Sequence, residues 1–321
     1  MQIHSCFCQA AAAVQCGSRH EAQGIPCQDA VCLLQQTDQS TGRRISAAVL
    51  CDGAGSASFS REGAQAASRA AAEILTRSFS FLENSGREEA GKYVLTKLQD
   101  ILKAEAEKLG CMQHQLASTL AAAALDETSR TALTVHLGDG TILGLKKDGK
   151  AVCLSRPENG RFCSETWFTT SRCAIEHLNI GWHDWDTEKL VAVFLSSDGL
   201  ALCGPGGTPL PGLEVRLARL AAIAPEAAEW YLQRMFAEEA AYSSDDLSMA
   251  VLADRNTGFD LPETLRQTLG LSELSRGCQR LLKLLHEQES CTTLQAARKL
   301  HTCPRRIRIW RSKLRKQLLA V

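Results

Sequence analysis

Two apolar segments that each lead into Asp-Gly constrain the fold of this chain more than any other feature. Residues 47–51 precede Asp52-Gly53, and residues 190–195 precede Ser196-Ser197-Asp198-Gly199. Short apolar runs bounded by turn residues are typical of buried strands. A carboxylate at such a strand end, next to glycine, has little bulk around it, so a metal ion or phosphate can approach closely. A single Asp-Gly is usually only a turn. The interpretation as a metal or phosphate site therefore depends on Asp-Gly occurring twice at the ends of apolar segments.

Three further carboxylates lie at predicted strand boundaries. Asp29 ends a Gly- and Pro-containing loop over 16–29 and precedes a predicted strand at 30–35. The turn at 38–42 makes that strand a neighbour of the one before Asp52, so we expect Asp29 and Asp52 around one site. Asp139 separates predicted strands at 131–137 and 141–147, and Asp245 precedes a strand at 247–253. Oxygen ligands of this kind suit Mg²⁺ or Mn²⁺. No His or Cys cluster is evident beside them, which argues against zinc.

Hairpins and amphipathic helices alternate along the chain and predict an α+β fold. Asp148-Gly149 connects the predicted strands 141–147 and 151–155 as a tight hairpin, which requires an antiparallel sheet. Helical spacing of apolar residues predicts helices at 60–77, 86–109, 213–223 and 225–240. His177, His183 and Asp184 fit no metal-ligand template, and we interpret them as structural or surface residues.

Charge is distributed unevenly along a chain whose composition is otherwise that of a soluble globular protein. The 321 residues are 45% hydrophobic and carry no formal net charge. Residues 260–321 nevertheless contain 13 Lys and Arg against 5 Asp and Glu, and the remainder 23 against 31. No apolar segment approaches the roughly 20 residues of a membrane span, and residues 1–17 lack the pattern of a secretory leader. We therefore expect a cytoplasmic protein without a membrane partner, its 14 cysteines being free thiols.

Six segments, taken together and in order, resemble the metal-dependent protein phosphatase family (type 2C, PPM), most closely its compact bacterial branch. They are GSRHEAQGIPCQDA at 17–30, CDGAGSASFSREGAQAA at 51–67, ASTLAAAAL at 117–125, LGDG at 137–140, LSSDGL at 195–200 and SSDDLSMAVL at 243–252. The resemblance implies an α-β-β-α sandwich, two antiparallel sheets packed face to face with helices outside, over residues 1–256.

The resemblance also implies a metal centre and a reaction. Asp52 would bridge two Mn²⁺ or Mg²⁺ ions, with Gly53 adding its carbonyl oxygen; Asp198 and Asp245 would hold the first ion and Asp29 the second. Asp139, with Asp198, would hold a third. A metal-bridging hydroxide would attack the phosphorus of a phosphoserine or phosphothreonine in a protein substrate directly. The enzyme would oppose a Ser/Thr kinase in signalling.

Two residues of the first loop are candidates for the phosphate and the leaving group. Arg19 is the candidate phosphate-binding residue, and His20 the candidate acid that protonates the leaving alkoxide. The family often has Glu where Gln28 stands before Asp29, and its phosphate-binding Arg usually lies closer to that Asp. Arg19 and His20 as plain solvated loop residues are therefore an alternative. A catalytically weak, phosphatase-like scaffold or sensor is the alternative function.

Residues 257–321 lie beyond the resemblance and predict a small basic helical module. Helical segments are expected at 271–286, 293–300 and 304–319, the last two arranged as a helix-turn-helix. Ile307 and Trp310 lie on the apolar side of the last segment. Three uses remain open for it, namely nucleic-acid binding, an acidic protein partner, and docking on the acidic body.

Overall fold

Two five-stranded antiparallel sheets, flanked by helices, form the body of the protein. The computed structural model describes residues 8–160, 166–200, 202–203, 207–210, 212–222, 225–240, 243–254, 280–281 and 292–310. The strands are β1 (Cys8–Gln15), β2 (Ala30–Thr37), β3 (Arg44–Cys51), β4 (Leu120–Asp126), β5 (Thr131–Leu137), β6 (Thr141–Lys146), β7 (Ala151–Ser155), β8 (Asn179–Asp184), β9 (Leu190–Ser196) and β10 (Leu247–Asp254). Sheet 1 has the order β1-β10-β9-β6-β7, and sheet 2 the order β2-β3-β4-β5-β8.

Helices cover the outer face of each sheet. They are α1 (Ser18–Gln23), α2 (Ser60–Arg77), α3 (Phe79–Asn84), α4 (Arg87–Leu109), α5 (Ala174–His177), α6 (Leu213–Ala222), α7 (Pro225–Glu239), α8 (Thr293–Lys299) and α9 (304–310). Helix α2 packs on β2 and β3 of sheet 2, and α7 on β1 of sheet 1. Among the described residues, no helix has both the length and the apolar composition that a bilayer span requires.

Three apolar clusters account for the layering. One joins sheet 2 to α2, α3 and α4, and a second joins sheet 1 to α6 and α7. The third lies between the sheets and contains small residues such as Ala48 and Ala121 facing larger ones such as Ile142 and Leu195. Because each sheet buries both faces, its central strands are apolar throughout rather than alternating. The predicted α-β-β-α sandwich is confirmed.

The elements that the sequence analysis did not predict include the short helix α1 and the edge strand β8. Helix α1 lies within the predicted loop 16–29, because Gly17 precedes it and Gly24, at φ 67°, ends it in the left-handed conformation that favours glycine. Strand β8 lies in a segment without a readable apolar pattern, and it forms the edge of sheet 2.

Several predicted features fall outside the described residues. These are residues 4–7 of a first strand that the small and apolar residues at 4–14 predict, most of the predicted helix 271–286, the end of the helix 304–319, and the boundary between residues 256 and 257.

Candidate metal centre

Strand register in sheet 2 brings Asp29 and Asp52 together. Strands β2 and β3 are antiparallel neighbours in which Ala30 pairs with Cys51. Continuing that register by one residue places Asp29, just before β2, opposite Asp52, just after β3. Asp52 is held there from its other side, since its N–H donates to Thr119 Oγ1 at 3.0 Å and its carbonyl accepts from Thr119 N at 2.8 Å.

Sheet 1 supplies a second pair by the same rule. Strands β6 and β9 are antiparallel, and Thr141 pairs with Ser196. Two residues further along this register, Asp139 faces Asp198. Asp139 lies on the short connection from β5 of sheet 2 to β6 of sheet 1, so it stands where the chain crosses between the sheets. Each sheet therefore contributes two carboxylates, delivered by the ends of neighbouring strands.

The two pairs and Asp245 form one electrostatically coupled group. Burial raises the pKa of Asp52 well above its usual value, and the charges of Asp29, Asp198 and Asp139 raise it further. Burial and the charge of Asp198 raise the pKa of Asp139 to about 6, with a smaller contribution from Asp245. The pKa of Asp198 is raised by burial and by Asp245, despite a hydrogen bond with Asp52 that lowers it.

Asp29 is the most buried member of this group and links the two sheets. Burial raises the pKa of Asp29 to about 7, although a hydrogen bond from Ser248 opposes the shift. Ser248 Oγ, on β10 of sheet 1, donates to Asp29 Oδ2 at 2.5 Å. The other carboxylate oxygen, Oδ1, is buried without a hydrogen-bond partner among the described residues. Buried polar atoms are normally paired, so this oxygen points to a ligand such as a cation.

Glycine at two positions allows the backbone to pack closely around the group. A Cβ added to Gly53 would lie 2.8 Å from the carbonyl oxygens of both Gln28 and Ser60. A Cβ added to Gly199 would overlap the carbonyl oxygen of Asp246. The glycine after each of the two strand-end aspartates is therefore required by the backbone segment packed against it.

Asp246, which the sequence analysis did not single out, anchors the first loop to β10. Its Oδ1 accepts from the N–H of Gly17 at 2.7 Å and contacts His20 Nδ1 at 3.0 Å, and its Oδ2 accepts from the N–H of Gln28 at 2.7 Å. Burial raises the pKa of Asp246, but these donors outweigh burial and hold it below its usual value. An ionised Asp246 requires the proton on His20 Nδ1, which leaves Nε2 as the atom able to exchange a proton.

The polar residues of α1 lie beside the carboxylates. Arg19 Nη2 is 3.9 Å from Asp245 Oδ1, and the two side chains are 55% and 46% exposed. His20 is 6% exposed and is oriented by Asp246. Cys16 joins His20 and Asp246 in a group whose ligand atoms all lie within 4.8 Å, so a Cys/His/Asp grouping that sequence spacing did not predict lies next to the candidate site.

All the candidate site residues thus fall in one region. Gly53, Arg19 and His20 lie around the five carboxylates (Asp29, Asp52, Asp139, Asp198 and Asp245). Sequence reasoning missed Asp246, Ser248 and Thr119, which hold the loops and strand ends that carry the candidates. The only signal for Asp246 was its place in the Asp-Asp dipeptide before β10, and sequence alone does not decide which of the two is buried.

Comparison with known proteins gives one family match and several structural matches. A family model described as Protein phosphatase 2C matches residues 16–252. The S. agalactiae serine/threonine phosphatase superimposes with a TM-score of 0.54 at 13% identity, covering 77% of this chain and 100% of that one. The Staphylococcus aureus serine/threonine phosphatase Stp1 superimposes with a TM-score of 0.51 at 14% identity, covering 79% of this chain and 97% of that one. A C. elegans sex determining protein superimposes with a TM-score of 0.53 at 14% identity, covering 82% of this chain and 67% of that one. At these identities the structural likeness shows the fold. No curated protein sequence matches the chain.

Proposed function

Because this chain belongs to the protein phosphatase 2C family, we propose that it is a protein serine/threonine phosphatase that hydrolyses phosphomonoesters with Mn²⁺ or Mg²⁺. The observation that carries the proposal is the coupled group of carboxylates at the strand ends of both sheets. Asp29, Asp52, Asp139 and Asp198 each have a raised pKa. Carboxylates that repel one another in this way are stabilised by a bound cation.

The donor set fits two hard divalent cations, and we propose a third. The donors are carboxylate and carbonyl oxygens, which Mg²⁺ and Mn²⁺ prefer. Asp29 Oδ1 is the buried oxygen that such an ion would satisfy. We assign Asp52 to both ions, with the carbonyl oxygen of Gly53 as an added ligand. We assign Asp198 and Asp245 to the first ion, Asp29 to the second, through a water molecule, and Asp139 with Asp198 to a third.

The chain's own residues would position the substrate around that centre. When bound, a pair of divalent cations supplies a water of lowered pKa and neutralises charge on the phosphoryl oxygens. Water would then attack phosphorus directly, without a phosphoenzyme. Arg19, half exposed and adjacent to Asp245, would hold a phosphate at the surface of the site. When protonated on both ring nitrogens, His20 would donate the Nε2 proton to the leaving alkoxide, with Asp246 fixing its ring.

We propose a cytoplasmic enzyme of bacterial type that reverses phosphorylation by a Ser/Thr kinase. The alternative is a phosphatase-like scaffold or sensor with little turnover. Gln28 favours that alternative, because it lacks the charge that the family often places before Asp29. Retention of all five carboxylates favours the enzyme, because mutually repelling charges have no use in a protein that binds no cation.

Phosphate release from a phosphothreonine peptide tests the proposal. We expect turnover by the full chain with Mn²⁺ or Mg²⁺ that disappears in EDTA. The variants Asp52→Asn and Asp198→Asn should each lower the turnover rate more than about a hundredfold. Mutating residues that only hydrogen-bond to metal ligands already lowers metal affinity or activity about 10- to 100-fold. The matched control is Asp148→Asn in the exposed β6–β7 hairpin, which should turn over like the wild type. A folded wild-type chain with no turnover under any divalent cation would favour the scaffold.

A further inference from the structure

The C-terminal residues that the structure describes form a helix-turn-helix. Helix α8 begins at a capping box, in which Thr292 Oγ1 accepts from Gln295 N at 3.2 Å and Gln295 Oε1 accepts from Thr292 N at 2.8 Å. The turn over 300–303 is closed by hydrogen bonds from Leu300 N to the carbonyl of Ala296 and from Thr302 N to that of Ala297. His301 takes a left-handed conformation at φ 48°, which turns the chain into α9. The two helices are thus separated by a four-residue turn.

The inward side of this unit packs against the body of the protein. Ala296, Ala297 and Ile307 are buried, and they belong to the apolar cluster that also contains Leu281 and residues of α6 and α7. The packing therefore fixes which sides of α8 and α9 face outward.

The exposed Lys, Arg, Asp and Glu residues of the outward side are all basic. The exposed charged residues of the unit are Arg298, Lys299, Arg305, Arg306 and Arg308. None of these five forms an ion pair with a residue that the structure describes. From residue 292 to 321 the sequence contains nine Lys and Arg and no Asp or Glu. At about 100° per residue, Arg305 and Ile309 lie on the side of α9 opposite the buried Ile307, and Arg306 and Arg308 lie on its two flanks.

We propose that this unit binds double-stranded DNA, with α9 as the helix that enters the major groove. Arg305 and Arg308 would reach base edges and Arg298, Lys299 and Arg306 would contact phosphates, which are the roles that arginine and lysine take in such complexes. Ile309, 46% exposed, would meet the methyl group of a thymine. This function goes beyond phosphatase chemistry and does not depend on it.

The structure favours duplex DNA over other polyanions. Single-stranded nucleic acid is usually held by aromatic side chains stacking on bases, and in 292–310 the one Trp, Tyr or Phe is Trp310, which packs against the apolar cluster. The deep, narrow major groove of A-form RNA does not admit a helix. A helix pair whose exposed Lys, Arg, Asp and Glu residues are all basic matches the wide groove of B-form DNA and its flanking phosphates.

Fluorescence anisotropy with the full chain and short DNA duplexes of random sequence, measured over a salt series, tests the proposal. We expect the double variant Arg305→Glu/Arg308→Glu to weaken duplex binding by at least about tenfold. The variant Arg306→Glu, which removes a phosphate contact, should make the logarithmic salt slope shallower by about 0.9. The matched control is Lys103→Glu, an exposed charge reversal on α4. The melting temperature should be unchanged in all these variants, which excludes misfolding.

Three outcomes would overturn the proposal. One is a wild-type chain that binds no duplex at low salt. The second is a double variant that binds duplex as tightly as the Lys103→Glu control does. The third is equal affinity for duplex DNA, single-stranded DNA, duplex RNA and heparin, which would show general attraction to polyanions instead of a helix in the major groove.

Discussion

Asp29→Asn should stabilise the metal-free protein at high pH and have little effect at low pH. The wild-type carboxyl has a pKa of about 7 in the folded protein, against an ordinary value of 3.8. Because the folded state holds the proton more tightly, the contribution of Asp29 to stability is full below pH 4 and is lost as the pH rises through 7. Three pKa units at about 1.4 kcal/mol each correspond to a loss on the order of 4 kcal/mol between pH 4 and pH 8.

The amide introduced by this substitution would carry no charge. The loss of unfolding free energy with rising pH should therefore be absent from the variant. Ser248 Oγ keeps an acceptor, because the amide oxygen replaces the carboxylate oxygen that it now reaches at 2.5 Å. We therefore expect the difference in unfolding free energy, variant minus wild type, to rise by a few kcal/mol between pH 5 and pH 8. Added Mn²⁺ should reverse the order at pH 8, because the wild type gains binding energy that the variant lacks.

Urea unfolding in EDTA at pH 5, 6, 7 and 8 measures this difference. Asp148→Asn is the control, since the same substitution at an exposed hairpin carboxylate should give a difference that does not change with pH. A variant that is no more stable than the wild type at pH 8, or a difference that shrinks as the pH rises, would refute the placement of Asp29 in a repelling, buried group.

Three further substitutions test the supports of the site and of the C-terminal unit. Asp246→Asn should cost roughly 2–3 kcal/mol in urea unfolding, because an amide cannot accept from both buried backbone N–H groups that the carboxylate satisfies; a neutral result would contradict its anchoring role. Gly53→Ala should lower phosphate release more than about tenfold by displacing the strand end, whereas Gly86→Ala, with no atom within 4 Å of the added Cβ, should not. Ile307→Ala should cost about 2–4 kcal/mol of unfolding free energy and the exposed Ile309→Ala about 0.5 kcal/mol or less. Equal, small effects would show that α9 is not packed into the core.

Hairpin geometry explains which parts of the centre the sequence could predict. Asp29 and Asp52 flank strands joined by a short turn, so their proximity follows from local pairing alone. Asp139 and Asp198 meet through the pairing of β6 with β9, which are separated by more than forty residues. The register of β6 against β9 cannot be predicted from neighbouring residues. The sequence linked Asp139 with Asp198 only because both lie at the ends of predicted strands.

Burial explains what the sequence left undecided or missed. Asp245 and Asp246 are chemically identical neighbours, yet 245 lies at the surface and 246 is enclosed by the first loop. Helix α1 has only six residues, too few for a helical period to stand out, and its boundaries depend on two glycines that also suit a loop. Strand β8 is an edge strand whose residues are mostly partly exposed, so it lacks the apolar run that revealed β9.

Mn²⁺ binding to the full chain tests the central claim, that carboxylates from both sheets form one metal centre, most directly. Isothermal titration should show at least two ions bound per chain, and electron paramagnetic resonance should show a spin-coupled pair. Asp52→Asn, which removes the carboxylate that both ions would share, should abolish the coupling, while Asp148→Asn should leave it intact. A wild-type chain that binds no more Mn²⁺ than its Asp52→Asn variant would contradict the account.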